Sequence, residues 1–155
     1  MLDVFDLKIL SILQEDGKST LSEISEKINL SKSSTFDRVK KLEASHVIKG
    51  TFAHLDHRVL GFELLAFCNI SLEAHQTEVL EEFEKQIIKF QEVQSCYHIA
   101  GMYDYLILVM VENMEAYQEF LTQKLARLAK IRNVHSSFVM KVLKSKHQVP
   151  IKLPI

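Results

Sequence analysis

The spacing of apolar residues changes once along this chain, and the change falls at Gly50. Before it, apolar positions recur as on one face of a helix; after it they alternate or run in short blocks, as in strands. Leu2, Phe5, Ile9, Ile12 and Leu13 follow i, i+3, i+7, i+10, i+11, and Gly17 ends the segment. Thr20 and Glu23 then form an S/T-x-x-E capping box ahead of a short helix with Leu21, Ile24 and Ile28 as its inward stripe. Asn29-Leu30 makes a turn, and Ser31 caps a third helix running to about Ser45. Thr35, Phe36, Val39 and Leu42 are expected on the inward side of that helix, with Ser33, Ser34, Asp37, Arg38 and Lys41 opposite. Three short helices with a tight turn between the second and third make the pattern of a helix-turn-helix.

Beyond Gly50, residues 51–62 read as a linking strand and hinge. From Leu64 the order is strand, helix, strand, strand, helix, strand. Leu64–Leu72 alternates around Ala66, Cys68 and Ile70, and the next helix carries Val79, Phe83 and Ile87 at i, i+4, i+8. Val93–Ala100 and Asp104–Val111 form a hairpin pair around Gly101. The last helix is expected to bury Met114, Tyr117, Leu121, Leu125 and Leu128, ahead of a final strand over Val134–Leu143. The fold class is therefore α+β: a helix-turn-helix domain over 1–50, the linker 51–62, a ferredoxin-like βαββαβ domain over 63–145, and an irregular tail over 146–155 with Pro150 and Pro154. Both helices of such a domain lie on one face of the sheet. The other face needs cover, and a second copy of the chain is the simplest supplier.

A net charge of -1 argues against a polycation that coats nucleic acid, so contact with DNA has to come from a local basic surface. The longest apolar run, Tyr105–Val111, is of strand length, and the acidic start Asp3, Asp6 does not read as a leader; a cytoplasmic protein with no membrane partner is expected. Cys68 and Cys96 form no CxxC pair and are expected as buried free thiols.

Leu2-Asp3 with Asp6, Ile9-Leu10 and Asp16-Gly17, then Leu30-Ser31 and Arg38-Val39-Lys40-Lys41-Leu42-Glu43, resemble the DNA-binding half of the Lrp/AsnC (feast/famine) transcriptional regulators. Val47–Gly50, Leu55-Asp56 and Leu60-Gly61 are similar to that family's linking strand. Val93-x-x-Cys96, Gly101-x-x-Asp104-Tyr105-Leu106, Tyr117-x-x-Phe120-Leu121 and Ser136–Lys141 match its effector domain. Order and spacing carry the resemblance across nearly the whole chain. It departs at Ser34 (often proline), Asp37 (commonly basic or neutral), His46 (expected glycine) and Thr51-Phe52, which puts the DNA sequence preference, not the fold, in question.

The resemblance implies a regulator that binds double-stranded DNA as a homodimer or an octamer and responds to an amino acid such as leucine or methionine, with no cofactor. On the third helix, Ser31, Lys32, Ser33, Ser34, Asp37, Arg38 and Lys41 are then the DNA-contacting set, with Arg38 and Lys41 suited to phosphate or guanine. Gly101, Met102, Tyr103 and Asp104 read by themselves as a hairpin turn. The resemblance adds an effector site there, joined by Ser136 and Ser137 from the neighbouring strand. His54-x-x-His57 lacks a third ligand and is not read as a metal site. Two alternatives stay open: an enzyme of the same architecture resembling the sirohaem decarboxylases, for which His98 and His135 would move protons, and an effector sensor with a vestigial helix-turn-helix.

Overall fold

The computed structural model describes residues 1–128, 130–145 and 148–153. They form two compact units: one holds residues 1–54 with the segment from Lys144 onward, the other Leu55–Leu143. Lys146 and Pro154 of the expected tail lie outside the described residues. No helix is long and apolar enough to cross a membrane among the residues described.

The helical unit contains α1 (Val4–Glu15), α2 (Leu21–Ile28) and α3 (Lys32–Ala44). Each helix starts on a side chain that satisfies backbone donors left free by the first turn. Asp3 accepts from the Asp6 N–H at 2.9 Å while Asp6 accepts from the Asp3 N–H at 3.1 Å. Thr20 and Glu23 do the same for α2, as their spacing predicts. Ser31 accepts from the Ser34 N–H at 3.2 Å at the start of α3. Asn29 turns the chain between α2 and α3 in the left-handed conformation, φ 56°, which asparagine tolerates. His46 sits at φ 56° as well, in the place where a glycine would be at ease.

Ile9, Ile24, Ile28 and Leu42 form the centre of this unit. Phe36 does not join them and is 46% exposed, contrary to its expected place on the inward stripe. The inward side of α3 is set by Thr35, fully buried with its hydroxyl donating to the Ser31 carbonyl, together with Val39 and Leu42. Phe36 lies about a quarter turn away from that side.

Residues 148–153 carry no regular structure yet are attached. Gln14 on α1 donates from Nε2 to the Val149 carbonyl at 2.9 Å and accepts from the Val149 N–H through Oε1 at 3.0 Å. Gln148 donates in turn to the Gln14 carbonyl at 3.1 Å. Leu10, Leu13, Val47 and Phe52 line a cavity together with Val149 and Ile151 of this segment.

Residues 51–62 are not a strand. Residues 51–56 carry no regular structure, and the stretch that follows is a turn in which the Phe62 N–H donates to the His57 carbonyl at 2.9 Å. A strand is a pairing arrangement, and no strand among the described residues pairs with this segment.

The second unit runs β1 (Leu64–Leu72), α4 (Thr77–Ile87), β2 (Val93–His98), β3 (Tyr105–Val111), α5 (Met114–Glu119) and β4 (Ile131–Phe138). Its sheet has the order β2-β3-β1-β4 with antiparallel neighbours, the ferredoxin-like arrangement. β4 starts and stops earlier than the apolar pattern indicates: it pairs with β1 from Leu72↔Ile131 to Ala66↔Phe138. The last helix loosens into a π turn over Phe120–Lys124 and a 3₁₀ turn over Leu125–Arg127. Phe120, three residues after Tyr117, is buried although it was not among the expected inward residues, while Met114 is 46% exposed and Leu121 only partly buried.

Alternate residues of β1 and β3 (Ala66, Cys68, Ile70, Tyr105, Ile107, Val109) pack against Val79, Phe83, Ile87, Tyr117, Phe120 and Leu125 of the helical layer. The intervening residues, Leu65, Phe67, Leu106, Leu108 and Met110, face the other way and belong to no buried cluster. Within this unit, that face is uncovered.

Candidate functional sites

Two places in the chain hold the residues that the sequence singles out, and they lie in different units. On α3, the exposed residues Ser33, Phe36, Asp37 and Lys40 follow i, i+3, i+4, i+7 and make one continuous stripe. Lys41 flanks the stripe, while Ser31 and Lys32 stand at its start, the Ser31 and Ser33 hydroxyls 3.1 Å apart. Lys32, Asp37 and Lys41 make no ion pair among the described residues, whereas Lys40 meets Glu43 at 2.9 Å. Ser34 is half-buried, its N–H held by the cap.

Arg38 is placed differently from its expected outward position. Its Nη1 donates to Asp3 Oδ2 at 2.6 Å and to Asp6 Oδ1 at 2.7 Å, with the Phe5 ring 5.4 Å from the guanidinium. The bonds it donates to Asp3, and then to Asp6, favour the charged guanidinium. The Asp3 carboxyl lies below the usual carboxylate range, because the Asp6 N–H and then Arg38 both favour its ionised form. Arg38 is thus a strut from α3 to the capping box of α1. Charge spacing along α3 alone cannot reveal this, since the partners sit more than thirty residues earlier in the chain.

In the second unit, the connection between β2 and β3 carries Gly101, Met102, Tyr103 and Asp104. Gly101 has φ 152°, a backbone conformation that side chains disfavour, although the space around it is open. Met102 is almost fully exposed, and the Tyr103 ring stacks on His135 of β4 at 6.4 Å. The Asp104 carboxylate accepts from the Leu72 N–H at 2.7 Å and meets His75 Nε2 at 2.8 Å. Partial burial opposes its ionisation, but the Leu72 N–H and the His75 imidazole outweigh that and keep the carboxyl below the usual range.

The two serines do not join this hairpin as a set. Ser136 pairs with Cys68 on the helix-covered face and accepts a 2.6 Å bond from the Tyr117 hydroxyl, which also lies 3.0 Å from the Cys68 thiol. Ser137 points to the uncovered face, opposite Phe67. His75 and His135 are the neighbours of the hairpin that the sequence motifs left out; each reaches it from an element distant in the chain. His98 shares the covered face with Tyr105, stacked on it at 4.7 Å, while His135 is paired with Asn69 on the opposite face. The two histidines proposed for proton transfer therefore do not share a pocket.

Comparison with known proteins is consistent across the whole length. Residues 2–49 match a family of winged helix-turn-helix DNA-binding domains, and residues 65–149 match the Lrp/AsnC ligand binding domain. The chain is 35% identical over 150 residues to the Bkd operon transcriptional regulator of Pseudomonas aeruginosa, covering 97% of this chain and 98% of that protein. It is 34% identical over 151 residues to the leucine-responsive regulatory protein of Escherichia coli, covering 97% and 92%. A transcriptional regulator of Neisseria meningitidis, solved as an L-Met complex, superposes with a TM-score of 0.91 at 33% identity, over 97% of each chain. An AsnC family regulator from Agrobacterium tumefaciens gives 0.90 at 33% identity, over 96% of this chain and 97% of that one.

Proposed function

Because the chain belongs to the Lrp/AsnC family of transcriptional regulators, we propose that it reads a specific duplex DNA site with the exposed stripe of α3, assembles through the uncovered face of its sheet, and is tuned by an apolar amino acid. Its relatives are named as regulators, and it is a regulator rather than the decarboxylase-like enzyme. The observation that carries the DNA reading is the placement of α3: it follows the tight Asn29 turn and leaves Ser33, Asp37, Lys40 and Lys41 in solvent with hydroxyl, acid and ammonium groups outward. The reading puts the protein in the cytoplasm with its DNA.

Lys41 meets a phosphate in this reading. Lys41→Ala should lower the slope of log affinity against log salt by about one unit. Anisotropy titration on a duplex selected from a random pool by the full chain measures it; an unchanged slope and affinity overturn the assignment of α3. Asp37→Ala binds more tightly and less selectively if the acid only repels phosphate, and more weakly at one base pair if it accepts from a cytosine amino group.

The assembly reading rests on Leu65, Phe67, Leu106, Leu108 and Met110, an apolar sheet face with nothing over it in its own unit. Sedimentation of the full chain should give a dimer or an octamer, and Phe67→Glu should dissociate it. A monomer in the parent protein excludes this reading.

The effector reading rests on the hairpin, where Gly101 opens the backbone and Asp104 holds a carboxylate in place, and it is supported by the Neisseria relative solved with L-Met. Asp104 also caps the Leu72 N–H, so Asp104→Asn is the cleaner variant: it keeps an acceptor and removes the charge. Leucine or methionine at a hundredfold excess over its dissociation constant should stabilise the parent by about 2.7 kcal/mol. Thermal shift over the twenty amino acids, with Asp104→Asn alongside, decides it; equal shifts in both proteins place the ligand elsewhere.

A further inference from the structure

Phe36 is the one large apolar side chain on the outward stripe of α3. It is 46% exposed, although an inward place was open to it by composition, and it stands between Ser33 one turn before and Lys40 one turn after. The Lys40 ammonium sits over its ring, 5.9 Å from the centre, and also meets Glu43, so the half-exposed ring has a cation on one side. It is the fifth residue of α3, in the half of a recognition helix that reaches base edges.

The major groove offers one apolar feature to such a ring, the 5-methyl group of thymine; every other group on the base edges there is a donor or an acceptor. A phenyl ring has no polar atom to satisfy donors or acceptors and gains only by displacing water from a methyl. Lys40 beside it carries charge suited to the adjoining phosphate. We propose that Phe36 is a specificity residue that reads a thymine through its methyl group, an inference that rests on the DNA reading of α3 given above. Asp37, Lys40 and Lys41 supply the polar part of recognition, and Phe36 adds a preference for T·A at one position in each half-site that none of them can express.

The test uses the full chain and a duplex it selects from a random pool. Each thymine is replaced singly by uracil, which removes the methyl and nothing else. The parent should lose affinity about fourfold at one thymine per half-site, the cost of leaving one methyl uncovered. Phe36→Ala should bind the thymine and uracil duplexes equally at that position, while Phe36→Leu keeps part of the difference. Placing 5-methylcytosine there should recover affinity relative to cytosine in the parent only. A parent that tolerates uracil at every position overturns the inference, even when Lys41→Ala still changes the salt slope and the DNA reading stands. So does a Phe36→Ala protein that keeps the uracil penalty, or one whose sedimentation shows lost assembly, since the ring then packs on another copy of the chain. Failure to enrich any duplex removes the DNA reading and this inference together.

Discussion

Among the described residues, the helical unit closes on four buried apolar side chains, Ile9, Ile24, Ile28 and Leu42, whereas the sheet unit closes on fifteen buried residues drawn from β1, β3 and the helical layer that covers them. The smaller unit compensates with polar devices. Its three helix starts are capped by side chains, Arg38 ties α3 to the Asp3–Asp6 box, and Gln14 holds the backbone of Val149. Apolar burial is insensitive to pH; carboxylate caps respond to it, and exposed charge pairs are also screened by salt. One chain therefore contains a part whose stability is less dependent on pH and a part that responds to it, and the responsive part is the helix-turn-helix unit.

That contrast can be broken by substitution. The largest effect is expected in the sheet unit, where Phe120 is 1% exposed and packs edge-on against Phe90 at 5.9 Å. Phe120→Ala should cost about 3–5 kcal/mol through lost burial and a residual cavity. Calorimetry should show nearly all of that loss in the sheet transition, with only the small change in loop-closure entropy passed on to the helical unit.

Arg38→Ala comes next. It leaves the buried Asp6 carboxylate without its partner, at a cost of about 1–3 kcal/mol, while the half-exposed Asp3 adds little. The loss should fall on the helical unit, and DNA affinity should drop with the folded fraction but keep its salt slope. A reduced slope at full folding would show Arg38 leaving its strut to meet phosphate. His46→Gly should work in the opposite direction, adding about 1 kcal/mol to the helical unit by relieving the left-handed backbone. Chemical denaturation followed by a probe in each unit separates these effects.

Acid sharpens the comparison without any substitution. The Asp3 and Glu23 carboxyls are held below the usual range chiefly by the N–H groups they cap, of Asp6 and Thr20 respectively, and Asp104 is lowered in the sheet unit. A carboxyl depressed in the folded state contributes fully above its unfolded value, near pH 4, and the contribution fades as pH falls through the folded value. With two such caps and a small core, the helical unit should unfold first on acidification below about pH 4. Loss of the sheet signal ahead of the helical one would reverse the assignment of which unit relies on charge.

Much of this molecule could be read from local rules. Leu64–Leu72 is a strand with the bounds its alternation indicates, Val79, Phe83 and Ile87 are buried as their spacing requires, and the Thr20–Glu23 and Ser31 caps stand where their motifs place them. Local rules failed where a distant partner decides. Residues 51–56 have a weak strand-like alternation but no strand beside them among the described residues, and β4 ends at Phe138, where its pairing with β1 ends. Arg38 looks like a free cation on a helix until Asp3 and Asp6 are brought to it, and Phe36 looks inward until Thr35 takes the buried position. At the hairpin, glycine and aspartate were legible as a turn; His75 on Asp104 and His135 on Tyr103 were not, since each comes from another element.

The bond between Gln14 and Val149 has a topological consequence. The helical unit is assembled from both sides of the sheet unit in sequence, so the chain leaves it at residue 54 and re-enters it at residue 144. The sheet unit is in effect an insertion within the helical one, and its folded state fixes the length of the loop that this bond closes. Melting the sheet unit turns that loop into a long flexible one, whose closure entropy grows with the logarithm of its length. Whatever stabilises the sheet unit thereby favours the closed form of the DNA-binding unit through the chain alone. A protein cut after residue 54 forfeits this link and the bonds that Gln14 makes to Gln148 and Val149.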